Sequence, residues 1–161
     1  MLLQLIDFRA VPGGDEWNRQ LNEAVEKGLT TKEIVELVNP KRFMAFADTD
    51  IARRMHEAAL RDDLFKEQPF VMGVPASLVD SDLPKEETVL IQGVIDVFFF
   101  EGDEAVVLDY KTDKVSNPAE LTDRYKAQLD YYADAITKLT GKTVKDKVLY
   151  SFGLNETVVV K

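Results

Sequence analysis

The segment GVIDVFFFEGDEAVVLDYKTD, residues 93–113, constrains the fold of this chain more than any other stretch. It reads as two apolar strands joined at Gly102-Asp103, where glycine in the first central position suits a type II′ hairpin turn. From that turn the pairing runs Glu101 with Glu104 and Phe100 with Ala105, and its continuation sets Asp96 opposite Asp109. Directly opposed residues point to one face of a sheet, with β-carbons roughly 4.5–5.5 Å apart. Lys111, two residues beyond Asp109, shares that face. Strict alternation puts Ile95, Val97, Phe99, Val106, Leu108 and Tyr110 on one side and Phe98, Phe100, Ala105 and Val107 on the other. A hairpin apolar on both sides belongs in the middle of a sheet that is covered on both faces.

Two carboxylates in such surroundings repel each other, and one is driven toward protonation unless a cation joins them. Composition narrows the choice of cation. With no cysteine and a single histidine, cysteine-ligated iron–sulfur clusters, cysteine zinc sites, multi-histidine centres and disulfides are excluded. A hard, oxygen-seeking ion such as Mg2+, with Mn2+ as its substitute, answers the need, and Asp96 and Asp109 are its candidate ligands. A metal held by two carboxylates beside a lysine suits phosphodiester hydrolysis, the metal polarising the phosphoryl oxygen and the lysine offsetting charge on the phosphorus. The plain alternative is an ion pair in which Lys111 alone balances one aspartate.

Elsewhere the pattern predicts helices first. Asp15 can cap a helix running to Gly28, and Thr30 followed by Glu33 has the spacing of a capping box ahead of IVELV, which Asn39-Pro40 ends. A third helix is expected from Thr49 toward Asp62. Strands follow in EQPFVMGVP, VLIQGVIDVFFF and EAVVLDY, with the polar loop VDSDLPKEET between the first two. A further helix should run from Pro118 to a terminating Gly141, and KVLYSF and TVVVK close the chain as strands. At 161 residues, 45% of them hydrophobic, the chain suits one soluble domain, residues 1–161. No apolar run approaches the roughly 20 residues of a membrane helix and no signal peptide is recognisable, so the cytoplasm is the default location.

The net charge of −9 is unusual for a protein that grips nucleic acid. It is unevenly spread: residues 1–110 carry 11 basic and 22 acidic side chains, residues 111–147 carry 8 and 6. The lysines of the second segment read equally well as the solvated face of a helix or as facing phosphate.

Gly93-Val94-Ile95-Asp96, Asp109-Tyr110-Lys111 and Gln128-x-x-x-Tyr132 resemble, in order, the G-x-x-D, D-Y-K and Q-x-x-x-Y motifs of RecB-type nucleases, a branch of the PD-(D/E)xK superfamily. The runs DYKTDKV and RYKAQLDYYADAITKLTGKTVKDKVLYSF look most like the C-terminal nuclease domains of the AddA (RexA) family of helicase/nuclease subunits. The similarity covers residues 49–152 and thins before them. It implies an α/β (α+β) fold, a central mixed β-sheet flanked by helices in a restriction-endonuclease-like core. Residues 1–48 would form a helical cap and residues 49–161 the nuclease core.

The resemblance further implies a Mg2+-dependent DNA exonuclease within an ATP-dependent helicase/nuclease of double-strand break repair and recombination. Its partners would be DNA, the remainder of the helicase chain and the AddB (RexB) subunit. Asp96 and Asp109 would be metal ligands and Lys111 the catalytic lysine, with Gln128 and Tyr132 beside them positioning DNA or water. Spacing alone reads Tyr132 as a core aromatic and Gln128 as a surface residue. Glu67, in Lys66-Glu67-Gln68-Pro69-Phe70, looks like the family's glutamate ahead of a Pro-Phe pair and either lines the site or is a surface carboxylate at a strand end.

One departure stands out. The family's upstream G-T-x-x-H motif, whose histidine is a further metal ligand, is absent, and His56 in ARRMH does not match it and reads as a helix-surface residue. The opening LLQLIDF looks like the helix that follows that motif, so the expectation is a piece of a larger protein, weak or inactive alone. The rival readings are a free-standing exonuclease of the superfamily and an inactive module for guiding DNA or docking a partner.

Overall fold

The computed structural model describes residues 2–78, 82, 84 and 86–161. A 3-10 turn at Leu2–Leu5 precedes four helices, α1 (Gly14–Glu26), α2 (Lys32–Leu37), α3 (Pro40–Ala47) and α4 (Asp50–Ala59). Strand β1 (Leu64–Pro75) leads through a short 3-10 turn to β2 (Thr88–Glu101), and β3 (Glu104–Lys111) follows directly. The long helix α5 (Pro118–Thr140), β4 (Thr143–Ser151) and β5 (Glu156–Val160) complete the chain. Half of the polar loop expected at 79–88 lies outside the described residues, as does Met1. Among the described residues no helix is long and apolar enough to cross a membrane.

The strands form one mixed sheet in the order β1-β2-β3-β4-β5. Pairing is antiparallel except between β3 and β4, which run parallel because α5 carries the chain back across the sheet. The α/β architecture with helices on both faces is therefore as expected.

Two apolar cores lie on opposite faces of the sheet. Val97, Phe99, Val106, Leu108 and Tyr110 pack with Trp17, Phe46 and Met55 of the N-terminal helices. Phe98, Ala105 and Val107 pack with Leu121, Leu129 and Ile136 of α5. Alternate residues of β2 and β3 thus serve different cores, and this is why both strands read as continuously apolar.

Local signals explain most helix ends, with corrections at the N-terminal half. Thr49 accepts from the Ala52 N–H at 3.2 Å and starts α4. Asn117 accepts from the Glu120 N–H at 3.1 Å, with Pro118 in the first turn, and Gly141 at φ 74° closes α5. Asp15 does not cap α1: the N-cap is Gly13, and Asp15 stands inside the first turn. The cap of α2 is Thr31 rather than Thr30, accepting from the Ile34 N–H at 3.4 Å. Helix α2 stops at Leu37, just before Asn39-Pro40 as expected, but the same pair also begins a helix, since Asn39 accepts from the Lys41 N–H at 3.0 Å and Pro40 opens α3. Helix α3 lies outside the expected pattern, yet it buries Phe43, Phe46 and Ala47 at helical spacing.

The hairpin register is confirmed from Glu101–Glu104 to Val97–Leu108, with Gly102 at φ 67°. Beyond it, strict alternation fails between β1 and β2. Between the Lys66–Val97 and Gln68–Ile95 pairs the β1–β2 ladder skips Glu67 and Asp96, and Glu67 has φ 49°, a left-handed backbone uncommon outside glycine. Both strands turn over at this crease. Ile95, expected beside Val97, instead packs in the α5 core, and the N-terminal side of the crease keeps Lys66 against the opening turn.

Candidate active site

Strand β3 presents Asp109 and Lys111 to the face covered by α5, where the strand ends and the sheet opens. Asp109 is buried, with 2% of its surface exposed. Lys111 Nζ lies 2.6 Å from Asp109 Oδ2, at an angle that leaves this buried oxygen without a directed hydrogen bond. Lys111 also donates to Gln128 Oε1 at 3.0 Å, and Gln128 Nε2 donates to the Tyr132 hydroxyl at 2.6 Å. Gln128 and Tyr132 are four residues apart on one face of α5, so a single helix turn delivers both. Gln128 is half-buried inside this chain of polar contacts rather than a surface residue, and Tyr132 is at once a core aromatic and the end of the chain.

Asp96 reaches the same place from β2. It does not pair with Asp109 through the backbone, because the β2–β3 ladder ends one step earlier at Val97–Leu108. Instead its carboxylate Oδ2 accepts the Tyr110 N–H at 3.0 Å, closing the ladder with a side chain. Burial pushes the Asp109 carboxyl up to about 6, the negative charges of Asp96 and Asp113 add to the rise, and Lys111 opposes it. The two aspartates are close enough to feel each other, and the Lys111 cation beside them does not restore Asp109 to the ordinary carboxylate range.

The glycine of G-x-x-D has a packing reason. A β-carbon on Gly93 would lie 2.8 Å from Phe70 Cε1, and the Phe70 ring stands edge-on to Tyr132 at 5.6 Å. Gly93 therefore leaves room for the ring that backs Tyr132. Glu67 sits across β1 from Asp96 at the crease, exposed, and its carboxylate makes no hydrogen bond among the described residues. His56 is far from this face. It lies on α4, half-buried, with Nδ1 2.7 Å from the Phe8 carbonyl oxygen, so it ties the opening segment down rather than standing on the surface.

Two neighbouring carboxylates, one of them buried, are of the oxygen-donor type that suits a hard divalent metal, although among the described residues no group of three His, Cys, Asp or Glu side chains converges. The remaining positions would fall to water, backbone oxygen and substrate.

Sequence reasoning missed three contributors. Tyr125 covers the Lys111 ammonium, with Nζ 3.8 Å from its ring centroid, and its hydroxyl donates to Asp113 Oδ1 at 2.9 Å. The stripe Tyr125, Gln128, Tyr132, spaced by three and four, was a readable signal. Lys66 donates to the Gln4 and Ile6 carbonyls at 2.8 and 2.6 Å and anchors the opening turn beside Glu67, for which no local pattern exists.

The PD-(D/E)XK nuclease superfamily model matches residues 2–159. An ATP-dependent helicase/nuclease subunit from Clostridium botulinum (strain Loch Maree / Type A3) is 33% identical over 164 residues, covering 99% of this chain. The protein of the same description from Clostridium beijerinckii is 35% identical over 165 residues, again covering 99% of the chain. The chain spans 13% of the length of each of these relatives. The solved structure of SSO0001 aligns with a TM-score of 0.42 at 14% identity, covering 95% of this chain and 62% of that one.

Proposed function

Because this chain belongs to the PD-(D/E)XK nuclease superfamily, we propose that it is a Mg2+-dependent exonuclease domain acting on DNA. In this reading it works within an ATP-dependent helicase/nuclease of break repair and recombination, in the cytoplasm. The descriptions of the clostridial relatives support the helicase context. The partners proposed with DNA are the remainder of such a helicase chain and an AddB (RexB) subunit, residues 1–48 serving as a helical cap on a core of residues 49–161.

The observation that carries the reading is Asp109, a buried carboxylate raised to about 6 with one oxygen lacking a directed donor, beside Asp96 and Lys111. Asp96 and Asp109 would hold the metal, which when bound supplies Lewis acidity toward a phosphoryl oxygen and toward water. Lys111 presents its ammonium where negative charge grows on the phosphoryl oxygens. Gln128 orients Lys111 through Oε1 and is itself oriented by Tyr132. Glu67, exposed across from Asp96, lines the mouth of the site. A net-acidic domain suits this role because strand affinity can be supplied by the rest of a helicase.

The test is digestion of end-labelled linear DNA by the purified chain in Mg2+ or in EDTA. Weak Mg2+-dependent release of nucleotides from the ends, in keeping with the absent G-T-x-x-H histidine and lost in Lys111→Ala, is the expected result. Mn2+ binding by calorimetry that Asp96→Ala and Asp109→Ala leave untouched would overturn the reading in favour of a docking module.

A further inference from the structure

The Lys111 ammonium has three close neighbours. It stands 2.6 Å from Asp109 Oδ2 in an ion pair, donates to Gln128 Oε1 at 3.0 Å, and lies 3.8 Å from the centroid of the Tyr125 ring. The first two contacts hold the ammonium from the strand and from the helix core. The third closes the remaining side, so that the long, flexible lysine stem is left with one arrangement.

The Tyr125 ring is itself held. Its hydroxyl donates to Asp113 Oδ1 at 2.9 Å, and Asp113 belongs to the segment between β3 and α5. That segment is pinned from the far side. Phe152 N–H donates to the Lys111 carbonyl at 2.9 Å, and a β-carbon on Gly153 would come within 2.7 Å of the Asp113 carbonyl oxygen. A rigid backbone contact rather than a flexible side chain thus sets where Asp113, and through it Tyr125, stands.

We propose that Tyr125 is a positioning residue for the nuclease reaction, its ring clamping the Lys111 ammonium in the working orientation while Asp113 fixes the ring. This inference rests on the reading given above and adds to it the residue that completes the lysine's seat. A ring face attracts an ammonium without removing its proton or competing strongly for its hydrogen bonds, so it orients the charge yet yields to an incoming phosphate oxygen.

The test combines a spectroscopic and a kinetic measurement on the whole chain. In metal-free protein the Lys111 ε-methylene protons should be shifted upfield by the Tyr125 ring current, retained in Tyr125→Phe and lost in Tyr125→Leu. In single-turnover digestion of linear DNA with Mg2+, Tyr125→Leu should slow cleavage by roughly 5- to 30-fold with little change in half-saturating DNA, the range open to an ordinary cation–π contact. Tyr125→Phe should recover most of that loss, and Asp113→Asn should fall between. An unshifted lysine signal in the parent chain overturns the clamp whatever the activity. Faster cleavage by Tyr125→Leu overturns it too, because the ring would then be an obstacle. If the parent chain cuts nothing while the upfield shift is present, it is the nuclease reading that fails and the lysine seat that stands.

Discussion

The same two strands carry a charge cluster at each end, and the two are opposites. Near the hairpin turn Arg54 donates to Glu101 at 2.8 and 2.9 Å and to Asp146 at 2.7 Å, while Lys145 lies 2.8 Å from Glu101. Every acid there faces a cation, and the hydrogen bonds from Arg54 above all pull Glu101 down to about 2. Five residues along β2, roughly 17 Å away and on the other face, Asp96 and Asp109 lie near each other with Lys111 paired to Asp109, and burial pushes Asp109 up to about 6. The first cluster is complete without help. The second has one cation for two carboxylates, an imbalance that agrees with the proposed metal site.

Substitutions can break or sharpen that contrast. The largest effect should come from Asp96→Asn, which keeps an oxygen for the Tyr110 N–H and so leaves the fold intact. Cleavage should fall by about 1000-fold, on the scale of losing one preorganised charge contact, with an unchanged circular dichroism spectrum.

Next in size, Arg54→Met should cost about 2–4 kcal/mol in urea unfolding at pH 7, because it leaves half-buried Asp146 without its cation and Glu101 with Lys145 alone. The sign follows from Glu101. Its folded-state pKa is depressed, so its stabilisation is present above about 4.5 and is lost as pH falls toward 2, where variant and parent should converge.

Asp109→Asn should do the reverse. The raised pKa of Asp109 means that its own contribution to stability is fully present below about 4 and is lost as pH rises through 6, so in EDTA at pH 7 the asparagine variant should be roughly 1–2 kcal/mol more stable than the parent. Saturating Mg2+ should narrow the gap by stabilising only the parent.

The smallest effect is expected from Gly93→Ala, about 1 kcal/mol of overpacking against Phe70, read in thermal unfolding. A few-fold loss of cleavage should accompany it, transmitted through Tyr132.

Much of this contrast was legible beforehand. Gly102 announced the turn, counting outward from it paired the strands as far as Val97 and Leu108, and the two aspartates in an apolar setting pointed to the candidate site. What escaped was whatever depends on partners distant in sequence. Arg54 meets Glu101 and Asp146 only because α4 crosses the sheet there, and nothing around position 54 says so. Asn39-Pro40 is ambiguous by nature, since the same pair that stops one helix caps the next. Glu67 gave no warning at all, because a glutamate seldom adopts a positive φ and the strain is upheld by the pairs on either side of it. The exchange of Ile95 from one core to the other follows from that residue alone.

The crease at Glu67 and Asp96 also limits how portable this site is. Grafting the three motifs onto another sheet with regular pleats would carry Asp96 along a straight ladder, where backbone pairing would occupy the Tyr110 N–H and turn the carboxylate elsewhere. A designer borrowing this chemistry would have to copy the fold in the cloth as well as the pattern printed on it.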